Sequence, residues 1–136
     1  MIKSDAQRER TVIQIEGFRQ AMAKAGAEPH SKRAAAIRGS YEGMIYDLEN
    51  QVRQYDQLKS GEIQLPAIDR LDQIAPFIVK IRIAKGISQT ELARRLGVSK
   101  QVVSRHEEDE YQGVSMSRLQ EILDSMGVKT QVLLTA

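Results

Sequence analysis

The sequence predicts a mostly α-helical protein in two parts, an N-terminal helical hairpin or coiled-coil extension followed by a compact set of short helices. Three observations carry this. Between Ser31 and Lys59 apolar residues recur three and four apart. The stretch GEIQLPAID, residues 61 to 69, breaks that period. Beyond it, glycines at 86, 97, 113 and 127 separate segments of helical length.

The first helix is expected from Ser4 to Lys24, with Ile15, Phe18, Met22 and Ala25 at helical spacing. Gly26 is its expected stop, and Pro29 follows. The second runs from near Ser31 to Lys59, before Ser60 and Gly61. Its seam reads Ala34, Ile37, Tyr41, Met44, Leu48, Tyr55 and Leu58, with Gln51 filling one core place. Ile45 and Val52 widen the stripe. Such a helix spans ~42 Å at 1.5 Å per residue. It therefore needs the first helix, a second copy of itself or another protein to cover it. Gly39 and Gly43 each lower its helicity by up to ~1 kcal/mol, and simple tolerance is preferred to close helix approach.

In GEIQLPAID, Ile63 and Leu65 alternate with Glu62 and Gln64, and Pro66 forbids a smooth helix. The boundary falls here: residues 1–61 form a dimerisation or partner region, 62–70 a linker and 71–136 the compact part. Helices are expected over 71–85 (restarted at Pro76), 89–96, 100–107 and 116–126. The end, KTQVLLTA, is β-prone and suits a short C-terminal strand, with Glu62 to Leu65 as one pairing partner.

Composition narrows the chemistry. The chain has 136 residues, 41 % of them apolar, and no cysteine, so disulfides and thiolate chemistry are excluded. No run approaches the ~20 apolar residues of a membrane span. The start, MIKSDAQRER, lacks a signal-peptide core, and a cytoplasmic location without membrane contact is expected. The only histidines are His30 and His106, in different parts of the chain. Acids such as Glu49 fall at helical spacing from bases such as Arg53. No catalytic constellation, metal site or cofactor is expected. Net charge is only +2, but from Lys80 to Arg105 seven basic residues face one acid, Glu91. The run EEDE, 107 to 110, follows at once. A local basic surface of this kind suits a polyanion.

The most informative stretch is SQTELARRLGVSKQVVSRHE, residues 88 to 107. Ser88 and Glu91 have the spacing of a capping box, in which each side chain satisfies the other's amide. Leu92 and Leu96 point inward, and small Ala93 lets the next helix approach. Gly97 permits a sharp exit, and Ser99 caps the following helix. There Val102, Val103 and His106 lie inward or at the border. Lys100, Gln101, Ser104 and Arg105 share the outer face. A tight elbow behind an outward helix rich in hydrogen-bonding side chains is what the major groove of DNA accepts.

The spacing of Gln89, Leu92, Ala93, Gly97, Val98 and Val103, ending in Glu107, resembles the helix-turn-helix of the Xre family, which includes lambda-type phage repressors. The resemblance covers about residues 71 to 128. It implies a lambda-repressor-like domain of four or five short helices and a dimeric transcriptional repressor or antitoxin that binds double-stranded DNA. It also implies roles. Lys100, Gln101 and Arg105 fall where family members read base edges. Ser88, Gln89, Ser99 and Ser104 fall at phosphate-contacting places. Arg82 and Glu107 match a structural pair, and Leu92, Ala93, Gly97 and Val103 match the residues that build the motif. His106 stands where an apolar residue is usual, and is expected to pack at the border. The acidic loop EEDEYQG departs from the family's turn and would repel phosphate, so it either points away from DNA or shrinks the footprint. Tyr111 is expected to help seat the last helix. Two functions follow: a dimeric repressor on an inverted repeat, or an antitoxin whose N-terminal helices hold a toxin while the other part represses its operon. A helical interaction module that has lost DNA binding is the third, with the acidic loop as its support.

Overall fold

Two helices account for most of the N-terminal half: α1 (Asp5–Ala25) and α2 (Lys32–Lys59). The structure is a computed structural model that describes residues 1–25 and 31–136. Gly26, Pro29 and His30 lie outside the described residues. The chain divides into two compact units, Met1–Gln57 and Leu58–Ala136.

Both long helices begin one residue later than the spacing suggested, because a serine precedes each as its cap. Ser4 Oγ accepts from the Gln7 amide at 3.2 Å, and Ser31 Oγ from the Ala34 amide at 3.3 Å. The helices run antiparallel. Near one end Tyr55 donates to Asp5 at 2.9 Å, and Arg8 grips Asp56 with two bonds of 2.6 and 2.8 Å. Further along, Arg19 pairs with Glu49, and the Phe18 and Tyr41 rings lie 5.8 Å apart. Ile15, Ala34, Ile45 and Tyr55 are buried.

The seam on α2 differs from the expected one at its centre. Ile45 is buried, at 8 % exposure, while Met44 is 39 % exposed. A heptad stripe offers two flanks, and the position of α1 selects one. Glu49 and Asp56, which hold α1, lie four residues beyond Ile45 and Val52 and so share their side of the helix. Glu49 is therefore spent on Arg19 and not on Arg53, which donates to Asn50 at 2.9 Å. A Cβ added at Gly39 or Gly43 meets nothing within 4 Å, so neither glycine permits a close approach. Gly39→Ala and Gly43→Ala should each raise stability by up to about 1 kcal/mol, seen as a higher midpoint in thermal unfolding followed by circular dichroism. A lower midpoint would mean that these positions need glycine for a reason the fold does not contain.

In Leu58–Ala136, Gly61 takes a φ of +88° as the chain leaves α2, and residues 62–68 form no helix or strand. The expected helix over 71–85 is split. A single 3-10 turn covers Leu71–Gln73, and α3 runs Ala75–Ala84. Pro76 sits in the first turn of α3, where a missing N–H costs nothing but where no helix can run through from upstream. Next come α4 (Gln89–Leu96), α5 (Lys100–Glu108) and α6 (Met116–Ser125). Helix α4 packs on both α5 and α6. In α3, Ile78 and Val79 are fully buried, with Ile81 and Ile83 nearly so, and Leu92, Val103, Leu119, Ile122 and Leu123 are buried as well. Residues 129–136 form no helix, and no strand forms among the described residues, so the expected pairing with Glu62–Leu65 is not made. No described helix is long and apolar enough to cross a membrane.

Candidate nucleic-acid interface

The elbow forms through local bonds. Ser88 is extended and its Oγ accepts from the Glu91 amide at 3.0 Å. The reciprocal half of the capping box is not made. Instead the Glu91 carboxylate accepts from Arg94 at 2.6 and 2.8 Å and from Arg95 at 2.9 Å. Gly97 is left-handed at φ +67°, a conformation that a side chain would strain, and the Val98 amide returns to the Ala93 carbonyl at 3.0 Å. Ser99 then caps α5 through the Val102 amide at 3.4 Å. Leu92, Ala93 and Val103 are buried under the turn, so α5 sits close on α4. Leu96, Val102 and His106 are half-buried at the border.

With Val103 inward, the opposite face of α5 carries Lys100, Gln101 and Arg105, all exposed, with Ser104 half-buried beside them. Ser88 and Ser99, at the starts of α4 and α5, are exposed too. Lys85, Lys100 and Arg105 make no ion pair among the described residues, whereas Arg94 and Arg95 are held by Glu91. That clamp, Arg94 first and Arg95 second, lowers the Glu91 carboxyl from 4.5 to about 2. The folded pKa is depressed, so the clamp contributes stability above pH 4.5 and loses it as pH falls toward 2. A pH titration followed by carboxyl NMR should place the Glu91 midpoint near 2, and an ordinary midpoint near 4.5 would show that the clamp does not persist in solution.

Behind this face lies a buried polar hub. Glu107 is 0 % and Arg82 3 % exposed. Arg82 donates to both carboxylate oxygens of Glu107, at 2.5 and 2.8 Å, and to the Ile87 carbonyl at 2.8 Å. Gln89 Nε2 donates to Glu107 at 2.8 Å, and the Tyr111 hydroxyl lies 3.5 Å from it. The hub ties α3, the start of α4 and the end of α5 together. It also holds the Gln89 amide with one N–H engaged and the other left for a further acceptor.

The acidic loop is less acidic at its surface than the sequence reads, because Glu107 turns inward. Glu108, Asp109 and Glu110 remain exposed. They lie at the far end of α5, about 12 Å from its first residue at 1.5 Å per residue. Glu110 and Tyr111 adopt positive φ, +50° and +59°. Side chains resist this conformation, and burial of Tyr111 at 1 % exposure holds it. The Tyr111 ring packs 5.8 Å from that of His106, and its amide donates to the His106 carbonyl at 2.7 Å. Burial, followed by the nearby Glu107 charge, pushes the Tyr111 phenol above its ordinary range, so it stays protonated. Sequence reasoning gave Tyr111 a packing role and missed its place at the hub, which its spacing four residues after Glu107 could have suggested. Among the described residues no group of histidines and carboxylates is placed to hold a metal ion.

Residues 78–133 match the model of a helix-turn-helix family. No curated protein and no solved structure matched in the corresponding comparisons. This segment is a helix-turn-helix domain of the Xre, lambda-repressor-like kind. The class it defines is the DNA-binding transcription regulators.

Proposed function

We propose that the protein is a sequence-specific repressor that binds an inverted-repeat operator as a dimer in the cytoplasm. The observation that carries this is the exposed outer face of α5, where Lys100, Gln101 and Arg105 stand side by side above a rigid elbow. Two such helices, one from each copy, would enter successive major grooves about 34 Å apart. Lys100 and Arg105 would donate to guanine O6 and N7, and Gln101 would pair with adenine N6 and N7. Ser88, Gln89, Ser99 and Ser104 would meet phosphate and set the register. Arg82 and Glu107 would act only through the fold. After selection of bound DNA from a random pool, Gln101→Ala should relax base preference at one position of each half-site. Gln89→Ala should weaken binding to all sequences alike. Gel shifts against the selected operator and its single-base variants separate the two, and wild-type preference and affinity in both variants would remove these assignments.

The second reading is an antitoxin that uses the same DNA activity and adds a protein partner on the α1–α2 hairpin. It is favoured by the large apolar residues exposed there, Ile13 at 66 % and Tyr46 at 63 %. A small gene transcribed together with this one, whose product copurifies with the full chain and is lost on Ile13→Asp or Tyr46→Asp, would establish it. A solitary gene would count against it.

A further inference from the structure

Gln89 is held differently from the longer side chains assigned to base edges. Lys100, Gln101 and Arg105 make no side-chain hydrogen bond or ion pair among the described residues. Gln89, the first residue of α4, is half-buried, and its Nε2 donates to Glu107 Oε2 at 2.8 Å. That bond joins the start of α4 to a residue of the last turn of α5, 18 positions on.

The acceptor is itself fixed. Glu107 is fully buried and receives Arg82 on both oxygens, at 2.5 and 2.8 Å, with the buried Tyr111 hydroxyl 3.5 Å from Oε1. Arg82 already meets both carboxylate oxygens, so compensating the buried charge does not require Gln89. What the third partner gains is order. Glutamine is among the side chains with most rotamer freedom to lose on binding. Here much of that freedom is lost in folding, before DNA arrives.

The bond also decides which way round the carboxamide sits. A carboxylate held by arginine offers only acceptors, so the NH2 end of Gln89 must face it and the carbonyl end must not. The two N–H groups of an amide diverge. The second therefore cannot turn to the same oxygen, and it stays available to another acceptor, such as a phosphate oxygen.

We infer that Glu107 is a positioning residue for the phosphate contact of Gln89, locking the carboxamide in the orientation that leaves one N–H to donate to DNA. Glu107 touches no DNA and acts through the fold, by way of Gln89. The register of α4 on the DNA backbone is thereby tied to the last turn of α5. This role rests on the reading of Gln89 as a phosphate contact.

A double-mutant cycle on the full chain tests it, with a random-sequence duplex and the selected operator as probes. Gln89→Ala should weaken binding to both by on the order of 10-fold or more, the loss of one charge-assisted bond. Glu107→Gln keeps the volume but presents a donor as well as an acceptor, and should weaken binding to both alike, by more than about twofold. Gln89→Ala/Glu107→Gln should bind within about twofold of Gln89→Ala alone, because no carboxamide is left to position. Affinities are compared where helical circular dichroism matches the parent's. Effects that add in full, a Glu107→Gln loss confined to the operator, or no such loss would overturn the role of Glu107 and leave the phosphate contact standing. A Gln89→Ala variant that binds like the parent would remove the phosphate contact, and the role with it. Side-chain amide NMR of the unaltered chain decides without any variant having to fold. In the free protein the Gln89 amide should have an order parameter near the rigid value of about 0.85. Mobility equal to that of the Gln101 amide would overturn the role.

Discussion

Glu107→Ala is expected to lower the stability of the helix-turn-helix part by about 3–5 kcal/mol, the cost of leaving one member of a buried ion pair uncompensated. Arg82 is 3 % exposed and directs two bonds at the missing carboxylate. Its bond to the Ile87 carbonyl does not neutralise it. Gln89 and Tyr111 lose their acceptor at the same time. Urea unfolding of the full chain measures the loss. Removing both charges, as in Arg82→Met/Glu107→Leu, should cost less than the single change, because no buried charge is then left alone. A Glu107→Ala loss below about 1 kcal/mol, or a double variant worse than the single, would mean that the hub does not hold α3, α4 and α5 together.

Arg105→Ala is expected to reduce discrimination at one operator base pair by about 1–3 kcal/mol, on the order of 5- to 150-fold in relative affinity. Arg105 is exposed, one turn beyond Gln101, and makes no ion pair among the described residues, so its guanidinium is available to a base edge. Because the fold does not use it, unfolding midpoints should stay within about 0.5 kcal/mol of the parent. Competition gel shifts against operator variants read the effect. An equal loss on every sequence, with a shallower salt dependence, would move Arg105 from base reading to phosphate contact.

What the sequence revealed and what it concealed follow one physical division. The α4–α5 elbow was legible because its bonds are local: Ser88, Gly97 and Ser99 each act within a few residues, and Ala93 and Val103 follow from helical spacing. The pairing of Arg82 with Glu107 spans 25 positions and came from family resemblance, with no periodicity to show it. The choice between Met44 and Ile45 was hidden because it depends on which flank α1 covers. The destination of Glu91 was hidden for a similar reason: a cap and a double arginine clamp compete for one carboxylate, and the arginines prevail. The restart at Pro76 was legible because proline marks a break by itself, but nothing local showed that the residues upstream would form only a 3-10 turn. The β-prone end formed no strand among the described residues: residue type favours a strand but does not supply the neighbour a strand needs.

The most direct measurement is an amide NMR titration of the full chain with a random-sequence DNA duplex at low salt. Binding through the outer face of α5 should move the resonances of Ser88, Gln89 and Ser99 to Arg105 first and furthest, leaving Glu108 to Glu110 little changed. Shifts confined to other surfaces, or none at DNA concentrations of about 1 mM, well above usual nonspecific dissociation constants, would contradict the assignment of this face to DNA.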